Sequence, residues 1–200
     1  MGSKPHSKKF PGYTQVYRLV EPGAGRQFRA SLDMSHSEAL AVLSGDPPDN
    51  SPIGARWAMG ASSPGDVVWT TSALPLLISE RLVRRLREAR YSGWEVTPVS
   101  LLGKKGEPLP PYFFLQLNGR CGPIDYRQSR RINKTYPGGV FPAWRGLYFD
   151  PNTWDGSDLF MAEGTGFKFV VEAVRETLVA CLVKNLLFES LEDVELDSLP

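Results

Sequence analysis

Two stretches of the chain lay down the same order of apolar and polar positions. Asp66 to Ala89 (DVVWTTSALPLLISERLVRRLREA) lies without a gap on Asp158 to Cys181 (DLFMAEGTGFKFVVEAVRETLVAC), 92 residues later. Asp66 meets Asp158, Glu80 meets Glu172 and Leu86 meets Leu178. Val67, Val68 and Trp69 fall opposite Leu159, Phe160 and Met161, while Leu77, Ile78 and Leu82 fall opposite Phe169, Val170 and Val174. Each copy predicts a short apolar strand, a turn, a second apolar strand and an amphipathic helix. A pattern shared over such a span points to one architectural unit used twice.

The rest of the chain predicts mostly strands. Tyr13 to Val20 is rich in β-branched and aromatic residues and reads as a first strand, with a return over Arg26 to Leu32. Ser35 and Glu38 have capping-box spacing ahead of a short helix that Gly45 stops, and Asp46 to Pro52 is loop. Ser79 is placed as the N-cap of the first repeat helix, whose Leu82, Val83, Leu86 and Ala89 share one face. Trp94 to Leu102 and Tyr112 to Leu117 read as strands joined by a hairpin-like excursion. Arg120 to Gly139 reads as a long polar surface loop, after which Phe141 to Phe149 returns to the core. The second repeat helix is expected over about Val171 to Lys184, and Leu187 to Leu199 alternates acidic and apolar residues as an edge strand would.

Strands and helices mix without βαβ alternation, so the expected class is α+β, with mixed sheets, a few helices and a weak internal strand-strand-helix-strand repeat. The expected organisation is a flexible tail at 1–11 and a single domain at 12–200, with quasi-repeated units near 66–102 and 158–196.

Charge and composition narrow the function classes. Lys and Arg number 23 against 22 Asp and Glu, which argues against a dedicated nucleic-acid binder. Met1 to Phe10 carries no apolar signal core, and no apolar run nears the ~20 residues of a membrane span. A cytoplasmic protein is expected. Cys121 and Cys181 have neither metal nor redox spacing and read as two free thiols.

Candidate chemistry is sparse. His6 and His36 stand outside any nucleophile motif, and two His with two Cys match no zinc spacing. Asp150-Pro-Asn-Thr-Trp-Asp-Gly156 fails as a calcium loop because Trp154 and Asp155 occupy positions that need Asp or Asn and then Gly. Gly23-Ala24-Gly25 and Gly164-Thr165-Gly166 read as turns. Arg81, Arg84, Arg85, Arg87 and Arg90 read as a solvated helix face. No catalytic residue, cofactor or metal ligand is assigned. Two charged clusters remain as candidate partner-binding residues. Arg120, Arg127, Arg130 and Arg131, with Lys134 nearby, sit in the presumed loop beside Tyr126 and Tyr136. Glu189, Glu192, Asp193 and Glu195, with Asp197, make the C-terminal end negative, a surface that can steer a basic partner or guard a strand edge.

A wider order of features is recognisable. It runs from Trp57 and Asp66 through Ile78-Ser79-Glu80-Arg81-Leu82, Trp94-Glu95-Val96-Thr97-Pro98-Val99 and Tyr112-Phe113-Phe114-Leu115-Gln116-Leu117. It continues through Arg120-Cys121-Gly122 to Asp158-Leu159-Phe160 and a second helix. Over residues 57–196 this resembles immunity protein family 11 of bacterial polymorphic toxin systems, of myxobacterial type, and is similar to the related double-CxxCG immunity proteins. The chain has Cys121-Gly122 but no CxxC, so no zinc is carried over from those relatives. The resemblance implies a non-enzymatic cytoplasmic protein that binds and neutralises a cognate toxin, often a nuclease in such systems, through a protein–protein interface. A homodimer is a further possible partner arrangement. The alternative from the residues alone is a nucleic-acid-associated module using the basic loop 120–134. Another is an enzyme built on a carboxylate pair such as Asp125 and Asp150.

Overall fold

The computed structural model describes residues 8–23, 26–43, 52–71 and 76–198. The first half of the chain forms β1 (Val16–Val20), β2 (Arg29–Leu32), α1 (His36–Leu43), β3 (Ile53–Met59), β4 (Val67–Thr70), β5 (Leu76–Ser79), α2 (Glu80–Glu88) and β6 (Trp94–Leu102). The second half forms β7 (Tyr112–Leu117), β8 (Gly119–Cys121), β9 (Arg130–Tyr136), β10 (Gly139–Arg145), β11 (Leu159–Ala162), β12 (Lys168–Val171), α3 (Glu172–Ala180), β13 (Leu187–Ser190) and β14 (Glu195–Leu196). The class is α+β.

Local chemistry sets the helix ends. At α1 the backbone N–H of Glu38 donates to Ser35 Oγ (3.2 Å) while Ser35 N–H donates to the Glu38 carboxylate (2.6 Å), a reciprocal capping box. The residue expected to stop this helix, Gly45, lies outside the described residues. At α2 the Ser79 hydroxyl accepts from Leu82 N–H. Both repeat helices close in the same way. Tyr91 N–H reaches back to Leu86 C=O (3.3 Å) and Arg90 N–H to Arg87 C=O (2.9 Å). Val183 and Leu182 bond Leu178 and Val179 likewise (3.2 and 2.9 Å). These are two Schellman turns, and the second one ends α3 at Ala180, four residues before the expected Lys184.

The strands build a closed six-stranded barrel, β2-β3-β6-β7-β5-β4, and an open five-stranded sheet, β13-β1-β12-β11-β8. The open sheet repeats five strands of the barrel. β8, β11, β12, β1 and β13 take the places of β2, β4, β5, β7 and β6, with the same parallel or antiparallel sense at every shared edge. Registers agree residue by residue. Val68 faces Leu77, which faces Phe114, which faces Thr97; in the second unit Phe160 faces Phe169, which faces Arg18, which faces Glu189. The counterpart of β7 is thus β1, so the second unit is completed from the N-terminal end of the chain. Residues 1–7 of the expected tail lie outside the described residues. Phe10, by contrast, packs edge-on against Tyr13, Phe149 and Trp154, and Lys8 pairs with Asp158 at 2.7 Å.

The barrel interior is filled by Phe28, Leu32, Ile53, Val68, Leu77, Leu101 and Phe114, and Ala39 and Val42 of α1 pack into the same cluster. A larger cluster joins the outer barrel face to the second sheet through Leu82, Leu86, Val174 and Leu178 of the two helices. Each buried side chain of this size contributes roughly 1.5–3 kcal/mol. The units also interlock reciprocally. A Cβ on Gly65 would stand 2.7 Å from the Asn185 side chain, and one on Gly93 would stand 2.5 Å from Ser157 Cβ, the repeat partners of Asn185 and Gly65 respectively.

One element breaks the repeat. Between β2 and β4 the chain supplies β3, which closes the barrel; between β8 and β11 it runs out into β9 and β10 instead. The segment expected as a long loop is therefore a hairpin preceded by β8 and a short 3-10 turn at Tyr126–Gln128. A polar strand forms here because Pro137 and Gly138 reverse the chain and β10 pairs all seven residues of β9. The C-terminal edge strand also divides. β13 borders the open sheet and β14 borders β10, with the buried Leu191 and Val194 fixing the turn between them.

Candidate partner-binding surface

The hairpin and β14 make a three-stranded sheet, β14-β10-β9. Directly paired residues share a face. Tyr136 faces Gly139, Lys134 faces Phe141, Arg130 faces Arg145, and Arg145 faces Glu195 across the other edge. On that face Lys134 Nζ lies 3.1 Å from Glu195 and 3.0 Å from Asp197. Tyr136 donates its hydroxyl to Asp197 at 2.7 Å, and Arg145 Nε donates to Glu195 at 3.1 Å. These contacts hold Glu195, chiefly through Arg145, and Asp197, chiefly through Tyr136, below the usual carboxylate range. They raise Lys134, chiefly through Asp197. The brace runs along one face from Arg145 at the base of the hairpin to Tyr136 beside its turn, where apolar side chains stand open to solvent. Val140 is 63% exposed, Phe141 48% and Tyr136 41%, with the two rings 6.1 Å apart.

The eight candidate residues do not form two opposed patches. Arg130 and Arg131 stand exposed on β9. Arg127 is 90% exposed but turned onto Asp125 at 2.8 Å. Arg120 is partly buried in β8 and donates to the carbonyls of Leu117 and Gly119, away from the other arginines. Among the acids, Glu189 pairs with Arg18 at 2.7 Å and Glu195 with Arg145 and Lys134. Asp193 accepts from the Ser190 hydroxyl at 2.6 Å, and Glu192 is exposed on the turn. Much of the negative C-terminal run is thus consumed in holding strands together. Val140, Phe141, Arg145 and the brace through Tyr136 and Asp197 were not singled out from sequence. The Tyr-Pro-Gly-Gly-Val turn signal between alternating runs carried that information.

Asp125 and Asp150 do line one open cavity of about 340 Å³, with Arg127, Gln128 and Thr153. Their environment suits structure. Arg127 and Gln128 hold the Asp125 carboxyl down at about 2, so it is a neutralised anion rather than a proton donor. Asp150 accepts from Asn152 N–H at 3.0 Å and caps the short turn Pro151–Thr153. Cys121 is buried, which pushes its thiol up to about 12, and Cys181 is partly buried; both are free. Among the described residues no group of three or more His, Cys, Asp or Glu could hold a metal ion. No helix among them is long and apolar enough to cross a membrane.

The model of the Immunity protein family (Imm11) matches residues 64–193, from the residues just before β4 to the turn after β13. The chain belongs to the Imm11 immunity protein family. The match takes in the two repeated segments, β4 to β6 and β11 to β13, and the hairpin; β1, β2 and β3 precede it and β14 follows it. No curated protein matches this Imm11 chain.

Proposed function

We propose that this Imm11 chain binds the toxin encoded beside it in a stoichiometric complex and blocks the toxin without chemistry of its own. The family match over residues 64–193 carries this reading. The capped and neutralised state of Asp150 and Asp125 supports a binding rather than a catalytic role. Such a protein acts in the cytoplasm of the producing or sister cell, where the toxin would do its damage. Co-expression with the adjacent toxin domain tests the proposal: rescued growth and a co-purifying complex are expected, and neither appearing would sink it.

A nuclease is the toxin activity that the acidic turn would suit, because Glu192 and Asp193 have no cationic partner among the described residues. Replacing Glu192 and Asp193 by Ser slows association and flattens its salt dependence if that turn meets a basic cleft. Unchanged kinetics would remove this part of the proposal.

A further inference from the structure

We infer that the β9–β10 hairpin is the surface that docks on the toxin, and that it fits an acidic protein face with an apolar pocket. This rests on the toxin-binding reading above and adds the place and the partner's chemistry.

The internal repeat supplies a reference for what the fold itself requires. In the first unit the connection between the parallel strands closes a barrel; in the second the same connection leaves the sheet and forms the hairpin. The second sheet stays open, and the stretch after the hairpin runs between the residues that follow its two edge strands: Gly146 and Leu147 N–H donate to Val194 and Leu191 C=O, and Asp125 N–H donates to Tyr148 C=O. Val140 and Phe141 take no part in these bonds and remain exposed.

Charge decides the sign of the partner surface that meets the hairpin. The acids on this sheet, Glu195 and Asp197, are already matched by Arg145, Lys134 and Tyr136. Arg130 and Arg131 pair with Arg145 and Trp144 at the end of the hairpin away from its turn and have no anionic partner among the described residues. The hairpin thus carries uncompensated positive charge at its base, one arginine on each face, and apolar side chains at its tip. A carboxylate-bearing rim around an apolar pocket complements both features, with the buried aromatic supplying affinity and the arginines the encounter rate. The brace presets the strand geometry, so little ordering is lost on docking. An apolar tip of Val140, Phe141 and Pro142 favours a protein over a nucleic acid, for which the exposed arginines alone would suffice.

The test measures binding of the full chain to the adjacent toxin domain, with growth rescue in parallel. V140S/F141S is expected to weaken the complex about tenfold or more, mainly through faster dissociation. R130E/R131E is expected to slow association about tenfold at low salt. Thermal unfolding should be unchanged in both, since all four side chains are exposed. If the wild-type chain binds and rescues and both variants match it, the hairpin inference falls and toxin binding stands. If the wild-type chain neither binds nor rescues, both fall. Retention of the wild type on single-stranded RNA at ~100 mM salt, lost in R130E/R131E while toxin binding persists, would assign the arginines to nucleic acid and overturn the inference.

Discussion

Arg90 and Leu182 hold the same left-handed backbone, φ 57° and 53°, at the residue that closes α2 and α3. Side-chain types that avoid this region occupy it in both units because the Schellman bonds on either side leave no other conformation. Leu182 is also 80% exposed, so its side chain gains little there. Leu182→Gly should therefore raise stability by up to about 1 kcal/mol, while Leu182→Val should lower it by a similar amount. Urea unfolding of the two variants checks both signs.

Lys168 occupies the position that Leu76 fills in the first unit. It is only 5% exposed, and its described hydrogen bond is to Gly166 C=O at 3.2 Å. Burial brings its amine from 10.5 down to about 8. The unfolded chain binds more protons than the folded one between those values, so stability should rise as pH climbs from about 8 to 10.5. Lys168→Met should remove that rise and stabilise the protein near neutral pH by on the order of 2–3 kcal/mol. Unfolding curves across the alkaline range decide it.

Asp66 and Asp158 are repeat partners: Asp66 holds Ser79 and Arg81 of its own unit, while Asp158 accepts from Ser92 across the junction between units. Burial raises each carboxyl, but hydrogen bonds from Arg81 and Ser79 in one case, and Lys8 and Ser92 in the other, more than offset it and leave both below 3.8. Their contribution is present above that value and is lost as pH falls through the depressed folded values. Asp66→Asn and Asp158→Asn should each lower stability at pH 7 and flatten the loss below pH 4, as read from acid titration of the folded signal.

Gly93 and Gly119 both approach the Leu159 carbonyl, where an added Cβ would stand 2.1 and 2.3 Å from the oxygen. Gly93 also needs φ 85°. Ala at either position should cost about 2–4 kcal/mol by displacing β11. A denaturation midpoint within error of wild type would contradict this packing.

Val179, Leu182 and Leu187 are exposed where the first unit carries the exposed Arg87, Arg90 and Glu95. Grafting Arg, Arg and Glu onto these sites should change stability by less than about 1 kcal/mol, because all three side chains are exposed and Arg already holds the left-handed backbone of Leu182 at the matching position 90. It should also raise the solubility limit, since exposed apolar patches drive association.

Parts of this architecture were legible from residues alone. The gapless match of 66–89 on 158–181 marks β4, β5 and α2 against β11, β12 and α3, because apolar period is a local property of the chain. Ser35, Glu38 and Ser79 announced their caps for the same reason. The hairpin was hidden because β9 reads RRINKTY, a strand with one aliphatic residue, whose stability comes from pairing and from the carboxylates of Glu195 and Asp197.

Sequence by itself determined the repeat, the helix starts, the α+β class and the family resemblance, all of which depend on residues near one another along the chain. Tertiary structure alone decided that β1 completes the second unit, about 150 residues from its partner β12, and that β3 closes one sheet while the hairpin leaves the other open. It also decided that Glu195 and Asp197 meet Lys134 and Arg145 instead of solvent. Charge and period are written locally, but which charges neutralise each other depends on strand pairing over long separations, and no local pattern encodes it.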